Sequence, residues 1–290
     1  MAELLQLLIS GLSTGSIYAL VALGFTIIFK STGALNFAQG EWVMLGGMTA
    51  ATLFAAGVPL LVSLLIAVVV AVLMGLLSQR LVVGQLRKPS AMSITIITVA
   101  IAICTKSLVM LILGKNPAGL PPFSGEGALR IAGGVVESQA LWIIGVAAVM
   151  MAASTYFFGH TVLGKGLRAA AAQPEAAALV GISPQLSMSL SFMFAAGTAA
   201  LAGVIVTPLT LTSFDHGTIL GFKAFCAAML GGLGSLTGAM VGGLLLGVAE
   251  SLAGGKLSSH FKDAVAFVVL LLVLVKWPNG LLGRGQIEKV

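Results

Sequence analysis

Three ionisable residues lie in strongly apolar parts of the chain and are the first candidates for chemistry. They are Lys106, Lys223 and Glu250. A charged side chain inside a membrane costs several kilocalories per mole and usually has a functional reason. We expect Lys223 and Glu250, ahead of Lys106, to face a path for a polar solute. The alternatives are that each side chain reaches the membrane surface from the end of a span or is paired inside a helical bundle.

A polar segment interrupts the apolar sequence at residues 30–41. Asn36 and Gly40 are four residues apart and Gln39 adjoins Gly40, so in a helix they share one face. A broken helix here would present polar side chains and free backbone groups to a cavity. The alternative is an ordinary loop at the membrane surface. We expect Asn36, Gln39 and Glu41 to line the path.

The strongest local pattern is an alanine-rich segment at residues 164–182. Pro174 suits the first position of a helix, and Glu175 in the first turn favours the helix dipole. Gly181 can take the left-handed conformation that ends a helix. The pattern predicts a helix from Pro174 to Val180, about 10 Å long at 1.5 Å per residue. Such a helix outside the membrane is well suited to bind another protein. The alternative is a loop helix that contacts only solvent.

Glycines recur every four residues in two apolar parts of the chain. Gly234, Gly238 and Gly242 have this spacing, and so do Gly11 and Gly15. Small residues at such intervals let two helices approach closely in lipid. The run 231–243 lacks the GK[ST] ending of a phosphate loop and follows no strand. We therefore assign these glycines to helix packing rather than to phosphate binding or substrate contact.

The chain lacks the residue groupings of an enzyme or a metal site. Its three histidines are far apart, and no HExxH, CxxC or paired-carboxylate motif occurs. Cys104 and Cys226 lie in separate apolar runs, as small buried residues do. The few dispersed charges form no proton relay, which argues against an ion-driven secondary transporter. We expect no catalytic residue, metal ion or cofactor.

The composition points to a membrane protein. Of the 290 residues, 58% are hydrophobic and 8% are charged, against about 25% charged in soluble domains. Too few polar residues remain to cover a soluble surface, which excludes a soluble enzyme and a disordered chain. The net charge of +6 comes from basic residues placed singly or in pairs at the ends of apolar runs. That placement is typical of membrane-protein loops and does not indicate a nucleic-acid partner.

The elements that must position these residues are apolar helices. No stretch alternates as a membrane β-barrel strand does. The 218–252 stretch is too long for one span, so it holds either two short helices or a re-entrant segment followed by a full span. We predict an all-α bundle of eight or nine spans, forming one domain over residues 1–290, with a short helix outside the membrane. The apolar stretches cover 4–29, 42–57, 58–77, 91–113, 140–158, 186–211, 218–252 and 263–277.

Loop charges predict the orientation of the bundle. Loop 78–90 carries three basic residues and no acid, and loop 159–185 carries Lys165 and Arg168 against Glu175. Both are expected in the cytoplasm, and the balanced loop 114–139 on the far side. No basic residue precedes Lys30, so we interpret the first apolar run as a span rather than a signal peptide. Nine spans would place the N-terminus outside and the C-terminus in the cytoplasm.

Several segments resemble the branched-chain amino acid permeases of ABC importers, the LivH type. The residues Glu175-Ala176-Ala177 followed by Gly181 are similar to the EAA-x-x-x-G motif of importer permeases. A more specific likeness runs almost end to end, to the closing EKV. One departure is Gln39, where the family more often has histidine. The likeness is carried by GSIYALVALGFTIIF (15–29), LNFAQGE (35–41), GFKAFCAAMLGGLGSLTGAMVGGLLLGVAE (221–250) and PNGLLGR (278–284).

The resemblance implies an importer subunit of the bacterial inner membrane. A second homologous permease would pair with this chain around a central path, and two ATP-binding subunits would dock from the cytoplasm and bind the ATP. A periplasmic binding protein would deliver leucine, isoleucine or valine. Permeases for other small amino acids, amides or urea, and a self-sufficient secondary transporter, are the alternatives. The resemblance assigns the ATPase contact to Arg168, Gln173, Pro174, Glu175, Ala176, Ala177, Gly181 and Ile182.

Overall fold

The computed structural model describes residues 2–86, 90–125, 127–131, 134–256 and 262–283. Eleven α-helices occur in these ranges, and a π-helix (Ser78–Val82) and a 3-10 helix (Val83–Gln85) follow the third of them. Outside the described ranges lie the loop charges Arg87, Lys88 and Glu126, and also Arg284 and the closing EKV. The helices are α1 (Ala2–Thr32), α2 (Gln39–Ala55), α3 (Leu60–Leu77), α4 (Ala91–Ile112), α5 (Ser138–His160), α6 (Val162–Ala172), α7 (Pro174–Leu179), α8 (Pro184–Thr210), α9 (His216–Gly231), α10 (Leu236–Lys256) and α11 (Lys262–Lys276).

The helical bundle agrees with the predicted class, with one short addition. Two strands, β1 (Ala128–Ile131) and β2 (Gly134–Glu137), form an antiparallel hairpin in which Ala128 pairs with Glu137. The hairpin lies between α4 and α5, in the loop that the sequence left without secondary structure. The strand sequences ALRI and GVVE do not alternate strictly between apolar and polar residues, so they lack the pattern that indicates a strand.

The predicted count of eight or nine spans is not confirmed. Within the described residues, 6 helices are long and apolar enough to cross a membrane. Helices α2, α9 and α11 have 17, 16 and 15 residues, fewer than the roughly 20 that a full span needs. The 218–252 stretch is divided into α9 and α10 by a turn in which Gly232 and Gly234 have φ of +103° and +86°. Hydropathy marks apolar stretches, but it does not show whether a helix such as α2 starts within the bundle or at the membrane surface.

Helices α1 and α8 form the centre of the bundle. Helix α1 packs against α5, α8, α9 and α10, and α8 packs against α2 and α3. Large apolar side chains of α3, α4 and α5 point outward, including Leu61, Ile103 and Val149. A bundle with a fully packed centre and an apolar outer face is the arrangement that lipid as a solvent requires.

Close glycine contacts join α1 to α10. A Cβ atom added to Gly11 would lie 2.8 Å from Val248 Cα, and one added to Gly15 would lie 2.9 Å from Leu244 Cα. Gly238 and Gly242 of α10 face α9, next to Gly231. Gly234 differs from the expectation, because it precedes α10 and lies in the turn after α9. Its φ above zero explains why glycine stands there.

The bundle has two distinguishable ends. At one end, which we call the α7 end, Lys30, Arg168, Pro174, Ser235 and Leu282 surround a common cavity. At the opposite end, the hairpin end, Ala118 of the loop after α4 pairs with Thr212 of the loop after α8. The chain therefore runs through α1 toward the α7 end and through α8 back toward the hairpin end.

Candidate functional site

The centre of the molecule contains a break between two helices. Helix α1 ends at Thr32, and the next residue, Gly33, has φ of +69°. The chain then turns back into the bundle without helical structure before α2 begins at Gln39. The Asn36 Oδ1 atom accepts from the backbone N–H of Ala38 at 3.2 Å. The polar sequence of this segment thus supplies the turn that its backbone needs.

Helix α4 supports the broken segment through a hydroxyl group. The Thr98 hydroxyl accepts from the Phe37 N–H at 3.1 Å and lies 3.2 Å from the Leu35 carbonyl oxygen. A non-helical backbone inside a membrane protein must find such partners, because unsatisfied N–H and carbonyl groups are costly there. The side chain of Thr98 is fully buried. These two contacts hold the segment that precedes α2 against α4.

Helices α2 and α9 cross closely at their first turns. A Cβ atom added to Gly40 would lie 2.8 Å from Gly221 Cα, and one added to Gly217 would lie 2.6 Å from the Gly40 carbonyl oxygen. Only residues without a side chain permit this approach. The crossing brings the positive ends of two helix dipoles to one place.

A cavity of about 450 Å³ lies beside this crossing. We call it the helix-break cavity. It is bounded by α1, the broken segment, α2, α4 and α9. Most of its wall is apolar, with three aromatic rings and two charged side chains. Its lining residues are Phe25, Phe37, Gly40, Glu41, Val99, Ala102, Ile103, Lys106, Thr218, Gly221 and Phe222.

The two charged groups of the cavity come from different helices. Glu41 of α2 is 4% exposed, and its Oε1 atom accepts from the Thr218 hydroxyl at 2.7 Å. Lys106 of α4 has its Nζ atom 5.6 Å from the centre of the Phe214 ring. Beyond the cavity wall, the Ser213 hydroxyl donates to Asp215 Oδ1 at 2.5 Å and lowers the pKa of that carboxyl group. The site therefore combines both signs of charge within mostly apolar walls.

Buried polar atoms without a partner are concentrated at the helix break. Among the described residues, every such side-chain atom belongs to a residue between 26 and 42. Native structures contain few buried polar atoms of this kind, and each calls for an explanation. A segment that meets a polar solute, or that changes its partners during a working cycle, provides one. The atoms are Thr26 Oγ1, Asn36 Nδ2, Gln39 Oε1, Glu41 Oε2 and Trp42 Nε1.

The residues expected to share one polar face do not do so. Asn36 precedes α2 and is not on a helix with Gly40. The Gln39 Nε2 atom points away from the cavity and donates to the Ala195 carbonyl oxygen of α8 at 3.0 Å. Of the three predicted path residues in this segment, Glu41 lines the helix-break cavity. The helical periodicity failed because α2 starts three residues after Asn36.

Lys223 and Glu250, both predicted from the sequence, are brought together by the fold. The Lys223 Nζ atom lies 2.5 Å from Glu250 Oε1, and the Tyr18 hydroxyl donates to Glu250 Oε2 at 2.7 Å. Lys223 also lies 5.8 Å from the centre of the Tyr18 ring. The group joins α1, α9 and α10 inside the bundle. Neither Lys223 nor Glu250 lines the helix-break cavity.

The structure places Lys106, the lowest-ranked of the three charges in apolar runs, in the cavity wall, together with Thr218, which the sequence did not indicate. Nor did the sequence indicate the contact of Thr98 with the broken segment. Lys106 had a signal, since it is a charge within an apolar run. The threonines had none, because a threonine in an apolar helix usually bonds a carbonyl of its own helix. Within the described residues, no group of three or more His, Cys, Asp or Glu could hold a metal ion.

The short helix at the α7 end has the ends that its sequence predicts. Helix α7 covers Pro174–Leu179, one residue less than expected, with Pro174 in its first turn. Gly181 has φ of +85°. The Ile182 N–H then donates to the Ala177 carbonyl oxygen at 2.9 Å, which closes the helix end. Arg168 of α6 donates to the Gly159 carbonyl oxygen at 3.5 Å.

The outer face of α7 is unusually open. Ala177 is buried against the chain, whereas Gln173, Glu175 and Ala176 are exposed. Leu179 and Val180 are 90% and 74% exposed. Large apolar side chains this exposed mark an interaction surface or a lipid contact. Helix α7 is too short to span a membrane, and it follows an amphipathic helix, α6, whose Leu167 and Ala170 are buried.

Comparisons with known proteins agree over nearly the whole chain. Residues 7–274 match the family model described as branched-chain amino acid transport system, permease component. The chain is 35% identical to the high-affinity branched-chain amino acid transport system permease protein LivH of Escherichia coli strain K12, over 99% of this chain and 97% of that protein. It is also 35% identical to the permease protein BraD of Pseudomonas aeruginosa, over 99% and 98% of the two chains. At 25% identity it resembles the ribose import permease protein RbsC of E. coli K12, over 90% of this chain.

Proposed function

The chain belongs to the branched-chain amino acid transport permease family, and from this premise we propose that it is the membrane subunit of an ABC importer for leucine, isoleucine and valine. The full-length match to permeases with that function carries the proposal. The bundle contains a cavity at a broken helix, where membrane transporters commonly hold their solutes. ATP would be bound and hydrolysed by partner subunits, and the membrane would be the bacterial inner membrane.

Two ATP-binding subunits would dock at the α7 end. The exposed Leu179 and Val180 offer an apolar contact, and Glu175 offers a charge beside it. Helix α7 is connected to α8 through Gly181 and Ile182, so a pull on α7 reaches a central helix of the bundle. Closure of the ATP-binding subunits would move α6 and α7 together and reorient α5 and α8. In this proposal Arg168, Gln173, Pro174, Ala176 and Ala177 shape the docking surface.

A second homologous permease would cover the open side of the helix-break cavity. Val99 and Ile103 of α4 are 41% and 62% exposed, and Ile219 and Phe222 of α9 are 56% and 46% exposed. Of these side chains, Val99, Ile103 and Phe222 line the cavity, and Ile219 belongs to the same helix as Phe222. Two such faces opposed to each other would enclose a path between the chains. A periplasmic binding protein would deliver the amino acid at the hairpin end.

The test is uptake by the whole transporter in lipid vesicles. The chain is co-expressed with its neighbouring permease and ATP-binding subunits, purified, reconstituted and supplied with the loaded binding protein. We expect leucine uptake that needs ATP on the side of the membrane where the ATP-binding subunits lie. Uptake should stop when those subunits carry an inactive catalytic site. Uptake by this chain alone, without those subunits, would instead establish a secondary transporter.

The substrate class is decided in the same vesicles by competition. Unlabelled leucine, isoleucine and valine should each suppress uptake of labelled leucine, whereas a small amide and urea should not. If an amide or urea is imported and leucine is not, the chain has the alternative function within its family.

A further inference from the structure

We propose that the helix-break cavity holds the zwitterionic amino acid during its passage, with Glu41 binding the α-ammonium group and Lys106 binding the α-carboxylate. The inference rests on the proposed function and names the side chains that would contact the substrate. A free amino acid carries one charge of each sign on adjacent groups. The cavity wall contains one acidic and one basic side chain, Glu41 and Lys106, on opposing helices.

Both charged groups have capacity to bind a ligand. Glu41 Oε1 already accepts from Thr218, but Glu41 Oε2 has no hydrogen-bond partner among the described residues. A carboxylate offers about four lone-pair sites, so lone pairs remain for an ammonium donor. The Lys106 ammonium group has three donors. The described residues provide it with the face of the Phe214 ring but with no hydrogen bond.

The two charges do not neutralise each other directly. Glu41 and Lys106 do not form an ion pair of 4.0 Å or less. Glu41 and Lys106 attract each other across the cavity without such contact. A zwitterion placed between them would complete both pairs at once. The zwitterion would bring an opposite charge into contact with each group, which Glu41 and Lys106 do not do for each other.

The rest of the cavity suits an aliphatic side chain. Phe25, Phe37 and Phe222 line it, and the centres of the Phe37 and Phe222 rings are 6.3 Å apart. The volume of about 450 Å³ lies within the range of roughly 300–1,000 Å³ typical of small-molecule sites. Apolar walls with a few convergent polar groups also fit that pattern. A branched aliphatic side chain has no polar group that would need a hydrogen-bond partner there.

The helix crossing adds a favourable field for anionic groups. Helices α2 and α9 both begin at the cavity, and each helix N-terminus carries a partial positive charge. This field stabilises the Glu41 carboxylate in the first turn of α2. Glu41 and Lys106 lie on different helices, so their opposite charges would fix the orientation of the ligand.

The proposal is tested with isosteric variants in the reconstituted transporter. Glu41→Gln keeps the shape and an acceptor for Thr218 but removes the charge, and Lys106→Met removes the ammonium group. The matched controls are Glu137→Gln and Lys115→Met, which change exposed residues at the hairpin end. Each cavity variant should lower leucine uptake at least about tenfold, because a hydrogen bond to a charged group is worth a factor of ten or more. The controls should retain uptake.

A labelling measurement covers the case in which a variant fails to assemble. In a background carrying Cys104→Ser, Ile103→Cys places a thiol in the cavity wall, and Lys115→Cys places one outside it. Saturating leucine with loaded binding protein and ATP should slow modification of the first thiol and leave the second unchanged. Equal labelling with and without leucine would overturn the proposal.

The two proposals fail in different ways. If the unmutated complex imports no leucine, the proposed function is wrong. If it imports leucine normally and both cavity variants match their controls, the proposed function stands and the assignment of Glu41 and Lys106 is wrong.

Discussion

The buried pair Lys223–Glu250 shows what residue types reveal and what they leave open. Each residue is a charge in an apolar run, so the sequence identifies both as unusual. Their pairing at 2.5 Å depends on the antiparallel placement of α9 and α10 across the turn at Gly232. No residue spacing predicts that placement, because 27 residues separate the two. Their role in a path stays a prediction.

The pair yields a prediction about stability. Lys223→Met leaves the fully buried Glu250 carboxylate without its counter-charge and should lower the free energy of unfolding by about 3–5 kcal/mol. Adding Glu250→Gln removes the buried charge but keeps an acceptor for the Tyr18 hydroxyl, so much of the loss should return. Unfolding in mixed detergent micelles, followed by helical circular dichroism, measures both. A double variant no more stable than Lys223→Met would contradict the argument.

The uptake of the double variant decides the role of the pair. Normal uptake with recovered stability would assign Lys223 and Glu250 to packing of the bundle. Lost uptake with recovered stability would support their place in the path.

At the scale of elements, the sequence predicts helices that carry local start signals well and helices whose start depends on tertiary contacts poorly. The bounds of α4 and α7 differ from the expected 91–113 and 174–180 by one residue each, since Ser90 caps α4 and Pro174 starts α7. The start of α2 was missed because it depends on Thr98, a residue 61 positions from Phe37. A helix whose first turn is set by another helix has no local start signal. The same long-range dependence hid the helix-break cavity.

The packing of α1 on α10 predicts the effect of a single side chain. Gly15→Val would place its Cβ 2.9 Å from Leu244 Cα and the Gly243 carbonyl oxygen, so the helices must separate. Overpacking of this kind should cost about 1–3 kcal/mol in the free energy of unfolding. Gly145→Val in α5 is the matched control, because no atom lies within 4 Å of its added Cβ. Thermal unfolding in detergent should show a lower midpoint for the first variant, and equal midpoints would refute close helix packing at Gly15.

A substitution that disturbs α7 should uncouple transport from ATP hydrolysis without lowering the amount of protein in the membrane. Gly181 has φ of +85°, and a β-branched residue resists the left-handed conformation by roughly 1–2 kcal/mol. Gly181→Val should therefore misplace the end of α7 and the start of α8. The control Gly114→Val has the same kind of strain, at φ of +95°, but lies near the hairpin end. ATP turnover and leucine uptake are measured together in vesicles.

The two glycine variants should separate clearly. Gly181→Val should abolish uptake, with the ATP-binding subunits either released or hydrolysing ATP without transport, while Gly114→Val retains uptake per ATP. Glu175→Lys should act in the same direction as Gly181→Val, and Glu137→Lys at the hairpin end should not. If Gly181→Val and Glu175→Lys both match their controls, α7 does not couple the subunits.

At the scale of the whole molecule, the positions of the loops in the structure agree with the sides of the membrane that the loop charges predict. Loop 78–90 lies at the α7 end, because Gln79 accepts from Ser189 near the start of α8 at 2.5 Å. Loop 159–185 contains α6 and α7, and loop 114–139 contains the hairpin at the opposite end. Two basic loops thus share one end, and the balanced loop occupies the other. A charge rule and a folded structure use independent information, so their agreement makes the orientation testable.

The orientation is tested with single cysteines in intact cells. In a background carrying Cys104→Ser and Cys226→Ala, one cysteine is introduced at Ser90, Arg168 or Lys115, all exposed positions. By the positive-inside rule, the first two lie in the cytoplasm and the third outside. An impermeant thiol reagent should label Lys115→Cys in intact cells, and should label Ser90→Cys and Arg168→Cys only after the membrane is opened. Labelling of Arg168→Cys from outside would show that the bundle has the opposite orientation and that α7 does not face cytoplasmic ATP. That result would contradict both the predicted orientation and the proposed ATPase contact.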